Sequence, residues 1–445
     1  MCRFLGSSVL LLLLAAPLRA EPLAGRVDRL AAPYIESGTV LGMVVGVYDG
    51  SEELIRGYGA GKPGPDTVYE IGSVSKVFTG ILLAALVADG SVRLDQPVAE
   101  LLPNGTRVPA IGERRITLVD LSTHTSGLPR MPDNFAPKDP RNPYADYTFE
   151  LMAEFLARVQ PEQTPGTAYK YSNVGTGLLG VALARKAGKS YEELLVERVT
   201  GPLGMKSTAI ALPPELKARL APGHNASGQP ESNWDLPAFA GAGGIRSTAA
   251  DMMRFLRANL DPTALGGTLA SAREVRYAPP GAGAHRVGLG WHISPASIHW
   301  HNGQTGGYHS YAAIDTGRRR AVVILADTAT GEVDALGEEI LRMILGQDVE
   351  PRVFRKAVEV KPEVLLACAG TYALFSEFKL TVTVENGRLM VQATGQEKFP
   401  VFAASETEFF YKVVDARITF EKDKDGKVNR IVLHQNGQDM PGIRE

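Results

Sequence analysis

Apolar and polar positions divide this 445-residue chain into an α+β portion and an all-β portion. Residues 41–48 form an apolar, β-branched run, and Asp49-Gly50-Ser51 separates it from a second run near 54–58, a hairpin pattern. Over 73–89 the apolar positions (Val77, Phe78, Ile81, Leu82, Leu83, Leu86) fall on nearly every side. The predicted helix, stopped by Gly90, is therefore a buried one. Residues 116–260 read as helices joined by Pro- and Gly-rich loops, and the proline-rich loop 129–147 has a length that often borders a binding site. Strand patterns return at 288–293, 297–301, 308–315 and 320–326, ahead of a helix over 332–345. Strands drawn from both ends of this portion, with helices inserted between, predict an antiparallel sheet flanked by helices plus an all-helical subregion.

Residues 347–361 are polar and proline-flanked, a linker pattern. Beyond them come short strand patterns at 371–372, 379–384, 388–393, 408–413, 417–421 and 429–434, separated by turns such as Glu385-Asn386-Gly387. Regular short strands predict a small β-barrel or sandwich. The expected organisation is an export signal over 1–20, an α+β domain over 21–348, a linker over 349–361 and a β-rich domain over 362–445.

Composition adds little beyond exclusion. Hydrophobic residues are 44% and charged residues 22%, and 47 basic residues face 49 acidic ones. Such values suit a folded soluble chain, and the missing basic excess argues against a nucleic-acid partner. The amino terminus is different: Arg3, an apolar run over 9–16, and Pro17-Leu18-Arg19-Ala20 read as an export signal. That run is far shorter than the ~20 residues of a membrane span, and no later stretch qualifies. Of the two cysteines, Cys2 leaves with the signal. Cys368 sits in an apolar setting that predicts a buried, inert thiol.

Three strings carry chemistry. In Ser73-Val74-Ser75-Lys76, the serine and lysine share one face at a helix start. A serine hydroxyl is a weak nucleophile until a base takes its proton, and a lysine can be that base where a dry pocket lowers its pKa. The Ser73 amide, at a helix amino terminus, can face a developing oxyanion. In Tyr171-Ser172-Asn173, Tyr171 is a second candidate base or proton relay, and Asn173 could hold Lys76 and a substrate amide. In the third string, His301-Asn302-Gly303 ends a predicted strand, and Gly306-Gly307 permits close backbone approach. The Gln304 amide is then the candidate second oxyanion donor, and a protonated His301 could pair with a substrate carboxylate. Taken singly, each string also fits a bland role: an exposed helical pair, a packed turn aromatic, a strand end.

Together and in this order, the strings resemble the signature of the penicillin-recognising serine hydrolases: Ser-x-x-Lys, Tyr-x-Asn, then Lys- or His-x-Gly. The branch is that of class C β-lactamases, D-Ala-D-Ala peptidases and related esterases. Supporting strings are Thr123-His124-Thr125-Ser126-Gly127-Leu128-Pro129, Pro202-Leu203-Gly204-Met205 and Gly243-Gly244-Ile245-Arg246-Ser247-Thr248. The likeness spans about 25–348. It implies a β-lactamase/transpeptidase-like fold and an acyl-Ser73 intermediate, with His124 structural. No cofactor is expected. The implied substrates are β-lactams or peptidoglycan peptides, and the implied location is the bacterial periplasm. The last strands, with Gln392-Ala393-Thr394-Gly395 and Glu408-Phe409-Phe410, resemble a lipocalin-like domain appended to some members; a packing role is expected for it rather than ligand binding.

One departure limits what the resemblance implies about substrate. Class C β-lactamases usually carry lysine where this chain has His301, and histidine there resembles the peptidase and esterase side. If His301 is the carboxylate partner, substrate binding weakens as pH rises through its titration. His292, His299, His301 and His309 also crowd one stretch. His299, His301 and His309 are a weak zinc alternative, lacking an evident carboxylate ligand. The leading expectation is β-lactam hydrolysis. The alternatives are D-Ala-D-Ala carboxypeptidase or endopeptidase activity, a small-ester esterase and, least favoured, a non-enzymatic binding module.

Overall fold

The first hairpin and the late strands join in one seven-stranded sheet in the computed structural model, which describes residues 21–281, 286–412, 414 and 416–445. The export pattern and Cys2 lie outside the described residues. The elements that frame the site are, in chain order, α1 (Leu23–Glu36), β1 (Gly42–Tyr48), β2 (Glu53–Gly59), α2 (Ser75–Ala88), α3 (Asn173–Ala187), α4 (Ala249–Asn259), β3 (Arg286–Val287), β4 (His292–Ile293), β5 (His299–Gln304), β6 (His309–Asp315), β7 (Arg320–Ala326) and α5 (Glu332–Ile344). The strand order is β2-β1-β7-β6-β5-β4-β3. The two ends of the α+β portion meet where β1 pairs antiparallel with β7, Met43 opposite Ala326 and Tyr48 opposite Ala321.

Every residue of β1 and of β6 is buried. Side chains alternate across a strand, so a run apolar on both faces needs a cover on each side. Val45 and Ile324 pack with Leu30 of α1 and Ile340 of α5. Val44 and Val323, on the other face, pack with Phe78 of α2 and Phe255 of α4. Within that second layer the rings of Phe78 and Phe255 stack at 4.3 Å.

Two strand expectations change. The strand predicted over 297–301 runs from His299 to Gln304, because pairing with β6 carries the ladder through Gly303 to Gln304 opposite His309. Thus His301-Asn302-Gly303 lies inside the strand rather than ending it. Of the strand predicted over 288–293 only His292–Ile293, which is β4, is strand; residues 288–291 turn between β3 and β4. Contact with α2 explains it: a Cβ on Gly290 would lie 2.3 Å from the Lys76 carbonyl oxygen, and one on Gly80 would lie 2.1 Å from the Leu289 carbonyl oxygen. The turn is pressed against the helix that carries the candidate lysine.

Residues 347–361 carry no regular structure. A short helix, α6 (Pro362–Cys368), follows, opened by a proline in its first turn. The sequence pattern had suggested only strands there. Eight strands between Gly370 and Arg444 then close into an antiparallel barrel, first against last, with Tyr372 opposite Arg444. Its interior is filled by side chains including Tyr372, Phe409, Ile418, Phe420 and Ile431. Cys368 is buried beside them, and burial pushes its thiol up to about 11. Phe354 of the connecting segment meets Tyr34 of α1 edge-on at 4.8 Å, and barrel residue Lys412 donates to the Ser37 carbonyl at 2.7 Å. Among the described residues, no helix is long and apolar enough to cross a membrane.

Candidate active site

A single turn of 3-10 helix, Gly72–Val74, carries Ser73 and runs directly into α2. Gly72 has φ +49°, and a Cβ there would lie 2.7 Å from the Gln304 amide nitrogen. A Cβ on Gly303 would lie 2.1 Å from the Ile71 carbonyl oxygen. The nucleophile turn and β5 therefore meet backbone to backbone, and Ser310 of β6, opposite Gly303, ties the sheet to the same segment by donating its hydroxyl to the Ile71 carbonyl at 2.8 Å. Thr305 donates to the Tyr308 carbonyl at 3.0 Å, which makes the neighbouring Gln304–His309 pair a non-hydrogen-bonded one. The Gln304 amide consequently points away from β6. On that side β4 pairs only with His299 and Trp300, so the edge of β5 beside Gln304 is open. The amides of Ser73 and Gln304 are thereby brought close together, as an oxyanion site requires.

Lys76 is 1% exposed. Its Nζ donates to Ser73 Oγ at 2.9 Å and to the Ala242 carbonyl at 2.6 Å, and lies 4.9 Å from the centroid of the Tyr171 ring. Burial first, and the Arg130 charge second, hold its pKa well below the usual lysine range. Tyr171 moves the other way: burial pushes the phenol up to about 12, against a hydrogen bond with Ser73 and the Arg130 charge. At neutral pH the phenol thus keeps its proton while the amine can give its own up. These opposite shifts favour Lys76 over Tyr171 as the base, where the sequence leaves the two equivalent.

His124 explains how Tyr171 is held. The two rings stack with centroids 4.4 Å apart and planes at 28°. Ser172 donates its amide to His124 Nδ1 at 3.1 Å, and Lys170 donates to the His124 carbonyl at 2.7 Å. Burial drives the His124 pKa well down, so the ring is a neutral acceptor. This is a positioning role, reached from a backbone φ of +59°.

The expected role of Asn173 changes. It is the first residue of α3, and its Nδ2 faces Met131 Sδ at 3.6 Å, while Lys76 spends its contacts on Ser73 and Ala242. Asn173 lines a small hollow with Tyr144 and Trp234 beside Ser73, open to a substrate amide. His301 changes more. It is 1% exposed, donates from Nδ1 to the Asn302 carbonyl at 2.6 Å, and lies 4.8 Å from the His292 ring and 6.3 Å from Tyr171. Burial, then His292 and Lys76, hold its pKa well below the usual value. Its burial and lowered pKa argue against the charged carboxylate partner expected from the sequence.

The histidines do not assemble a metal site either. His299 Nε2 donates to the Arg273 carbonyl at 3.2 Å, and burial takes its pKa down to about 4. His309 Nε2 donates to Asp334 Oδ1 at 2.8 Å, and Asp334 also accepts from Asn302 Nδ2 at 2.7 Å. Among the described residues no group of three His, Cys, Asp or Glu side chains could hold a metal ion.

Over Ser73 opens a cavity of about 670 Å³, bounded by Arg130, Tyr171, His292, Trp300 and Gln304 among others. Arg130 and Trp300 had no role in the sequence reading, and His292 entered it only as one of a cluster. Arg130 could have been found, since it directly follows the Gly127-Leu128-Pro129 string and opens the proline-rich loop.

A family model described as Beta-lactamase matches residues 27–346, and one described as Domain of unknown function (DUF3471) matches residues 355–443. The D-alanyl-D-alanine-carboxypeptidase/endopeptidase AmpH of Escherichia coli (strain K12) is 36% identical over 237 residues, 52% of this chain and 60% of that protein. The chain therefore spans less than two thirds of the length of that relative. Penicillin-binding protein 4 of Amycolatopsis lactamdurans is 31% identical over 330 residues, 69% of this chain and 84% of that protein. Among solved structures, a beta-lactamase/D-alanine carboxypeptidase from Yersinia pestis, complexed with citrate, has a TM-score of 0.65 at 26% identity. The match covers 73% of this chain and 98% of that one.

Proposed function

Because this chain belongs to the beta-lactamase family, we propose that it is a serine hydrolase that opens β-lactam amides through an acyl-Ser73 intermediate. The observation that carries this reading is the buried Lys76 amine, 2.9 Å from Ser73 Oγ, beside a phenol that stays protonated. Neutral Lys76 takes the hydroxyl proton as Oγ bonds to the carbonyl carbon. The carbonyl oxygen becomes an oxyanion between the amides of Ser73 and Gln304. As the intermediate collapses, the carbon–nitrogen bond breaks and the leaving nitrogen takes the Tyr171 proton, which the Lys76 ammonium replaces. Water then attacks the ester with the same groups in reverse, releasing acid and free serine. Every step uses side chains or backbone amides of this chain and calls on no cofactor.

A second reading keeps each residue and exchanges the substrate for the D-Ala-D-Ala end of a peptidoglycan peptide. Histidine at position 301 and the name of the AmpH relative favour it. Incubation with a labelled penicillin, followed by intact mass and product measurement, decides. Rapid turnover supports the β-lactamase, a long-lived adduct on Ser73 supports the peptidase, and absence of both adduct and product sinks the two together. In either case the work belongs outside the cytoplasm, in the periplasm, and the basic-then-apolar pattern of residues 1–20 supports that placement. Cell fractionation tests it.

A further inference from the structure

With His301 enclosed and neutral, the cavity over Ser73 needs another group if it is to receive an anionic substrate. Arg130 is the only lysine or arginine among the described residues that bound it. Its side chain is exposed, and its guanidinium lies 5.1 Å from the centroid of the Tyr171 ring, on the aromatic that touches the nucleophile. Nearby arginines are already matched: Arg246 with Glu70 and Asp235, Arg114 with Asp120, Arg158 with Asp133. No carboxylate among the described residues pairs with Arg130.

The root of this side chain is fixed although its head is open. The Arg130 carbonyl accepts the amides of Asn173 at 3.0 Å and Val174 at 3.4 Å, in the first turn of α3. One residue earlier, the Pro129 carbonyl accepts the Ser172 hydroxyl at 2.7 Å. The loop that carries Arg130 is thereby tied to the segment that carries Tyr171. Rooted this way, the guanidinium offers a planar, forked donor to a carboxylate.

We infer that Arg130 is the anion anchor of the site: it receives the carboxylate of the acyl donor and makes this a hydrolase selective for anionic substrates. The inference rests on the acyl-Ser73 reading and adds the substrate class to it. It also links binding to chemistry. The Arg130 charge is one cause of the low proton affinity of Lys76, and a carboxylate seated on Arg130 offsets that charge. Anionic substrate therefore raises the basicity of Lys76 at the moment the serine proton must move.

The test compares kcat/KM for benzylpenicillin, which bears a carboxylate, with that for p-nitrophenyl acetate, which does not, in the full chain and its Arg130→Gln and Arg130→Lys variants. The measured quantity is the ratio of the two. Arg130→Gln lowers that ratio ~10- to 100-fold, the range lost with a charge-assisted hydrogen bond, and Arg130→Lys recovers part of it. In the wild type, the KM for penicillin rises with ionic strength more than that for the ester. The anchor is overturned by a ratio that stays within about threefold in Arg130→Gln, as a purely structural role would leave it. It is equally overturned by a wild type that turns over the ester while penicillin neither acylates it nor is consumed, an outcome that spares the serine-hydrolase chemistry. A wild type inert to both substrates removes the acyl-Ser73 reading itself, and the anchor with it.

Discussion

A methyl group on Gly303 would lie 2.8 Å from the amide nitrogen of Ser73, so only backbone separates the strand from the nucleophile. Gly303→Ala forces that contact apart and displaces the Gln304 amide from the oxyanion. The expected loss in kcat is ~10²- to 10³-fold, comparable with removing one oxyanion donor, together with a lower Tm. Steady-state kinetics and a thermal melt check both, and wild-type rates in this variant would mean that Gln304 is not a donor.

The opposite shifts of Lys76 and Tyr171 fix the direction of the pH profile. Lys76 must be neutral to act, and its pKa is depressed, so kcat/KM rises as pH increases through a value below the ordinary lysine range. Tyr171, up at about 12, stays protonated across that limb. Lys76→Arg, which keeps its proton, should lose ~10²- to 10⁴-fold. Tyr171→Phe should be slower while retaining the acid limb. A limb that vanished in Tyr171→Phe would instead make the tyrosine the base.

His301 is neutral throughout the neutral range because burial lowers its pKa. Protonation belongs to the acid side, so the KM for a carboxylate substrate should not climb as pH rises through neutrality on its account. Profiles of the wild type and His301→Gln should share one shape. A step present only in the wild type would restore the charged role first expected of this residue.

His124→Ala removes the ring under Tyr171 and leaves the Ser172 amide without its acceptor. An orphaned buried donor costs about 1–3 kcal/mol, read as a fall in Tm, and kcat should drop with it. His124→Phe separates the two contributions: it returns the stacking surface but not the acceptor, so it should recover more activity than stability. Equal recovery of both would contradict the stacking role.

Cys368 offers a probe of the barrel. Its thiol is buried and held up at about 11, so the thiolate that reacts is scarce at neutral pH. A thiol reagent should label the native protein slowly and the denatured protein at once. Prompt labelling under native conditions would show that the barrel opens far more readily than its filled interior implies.

Much of this was legible in the residues, for a definite reason. Ser73 and Lys76 are near neighbours on one helix start, and their mutual geometry follows from local rules. The apolar run that becomes β1 likewise announces a strand covered on both faces. What the chain did not disclose depends on contacts between distant segments. The extension of β5 through Gly303 is set by β6, the turn at Gly290 by α2, and the burial of His301 by layers that no local pattern reveals. Arg130 stood in view as a charge in a loop, but its place over Tyr171 exists only once the loop is tied to α3. The helix at Pro362 was hidden by its brevity.

The bond from Ser310 to the Ile71 carbonyl spans 239 residues, and β1 finds β7 only when Ala326 is in place. A chain still being made, or clipped short of that strand, possesses serine, lysine, tyrosine and Gln304 but not the completed sheet that sets the second amide against the nucleophile. Such non-local pairings form late and close slowly. Reactivity is therefore withheld until the sheet is complete, and an unfinished molecule carries the nucleophile without the means to use it.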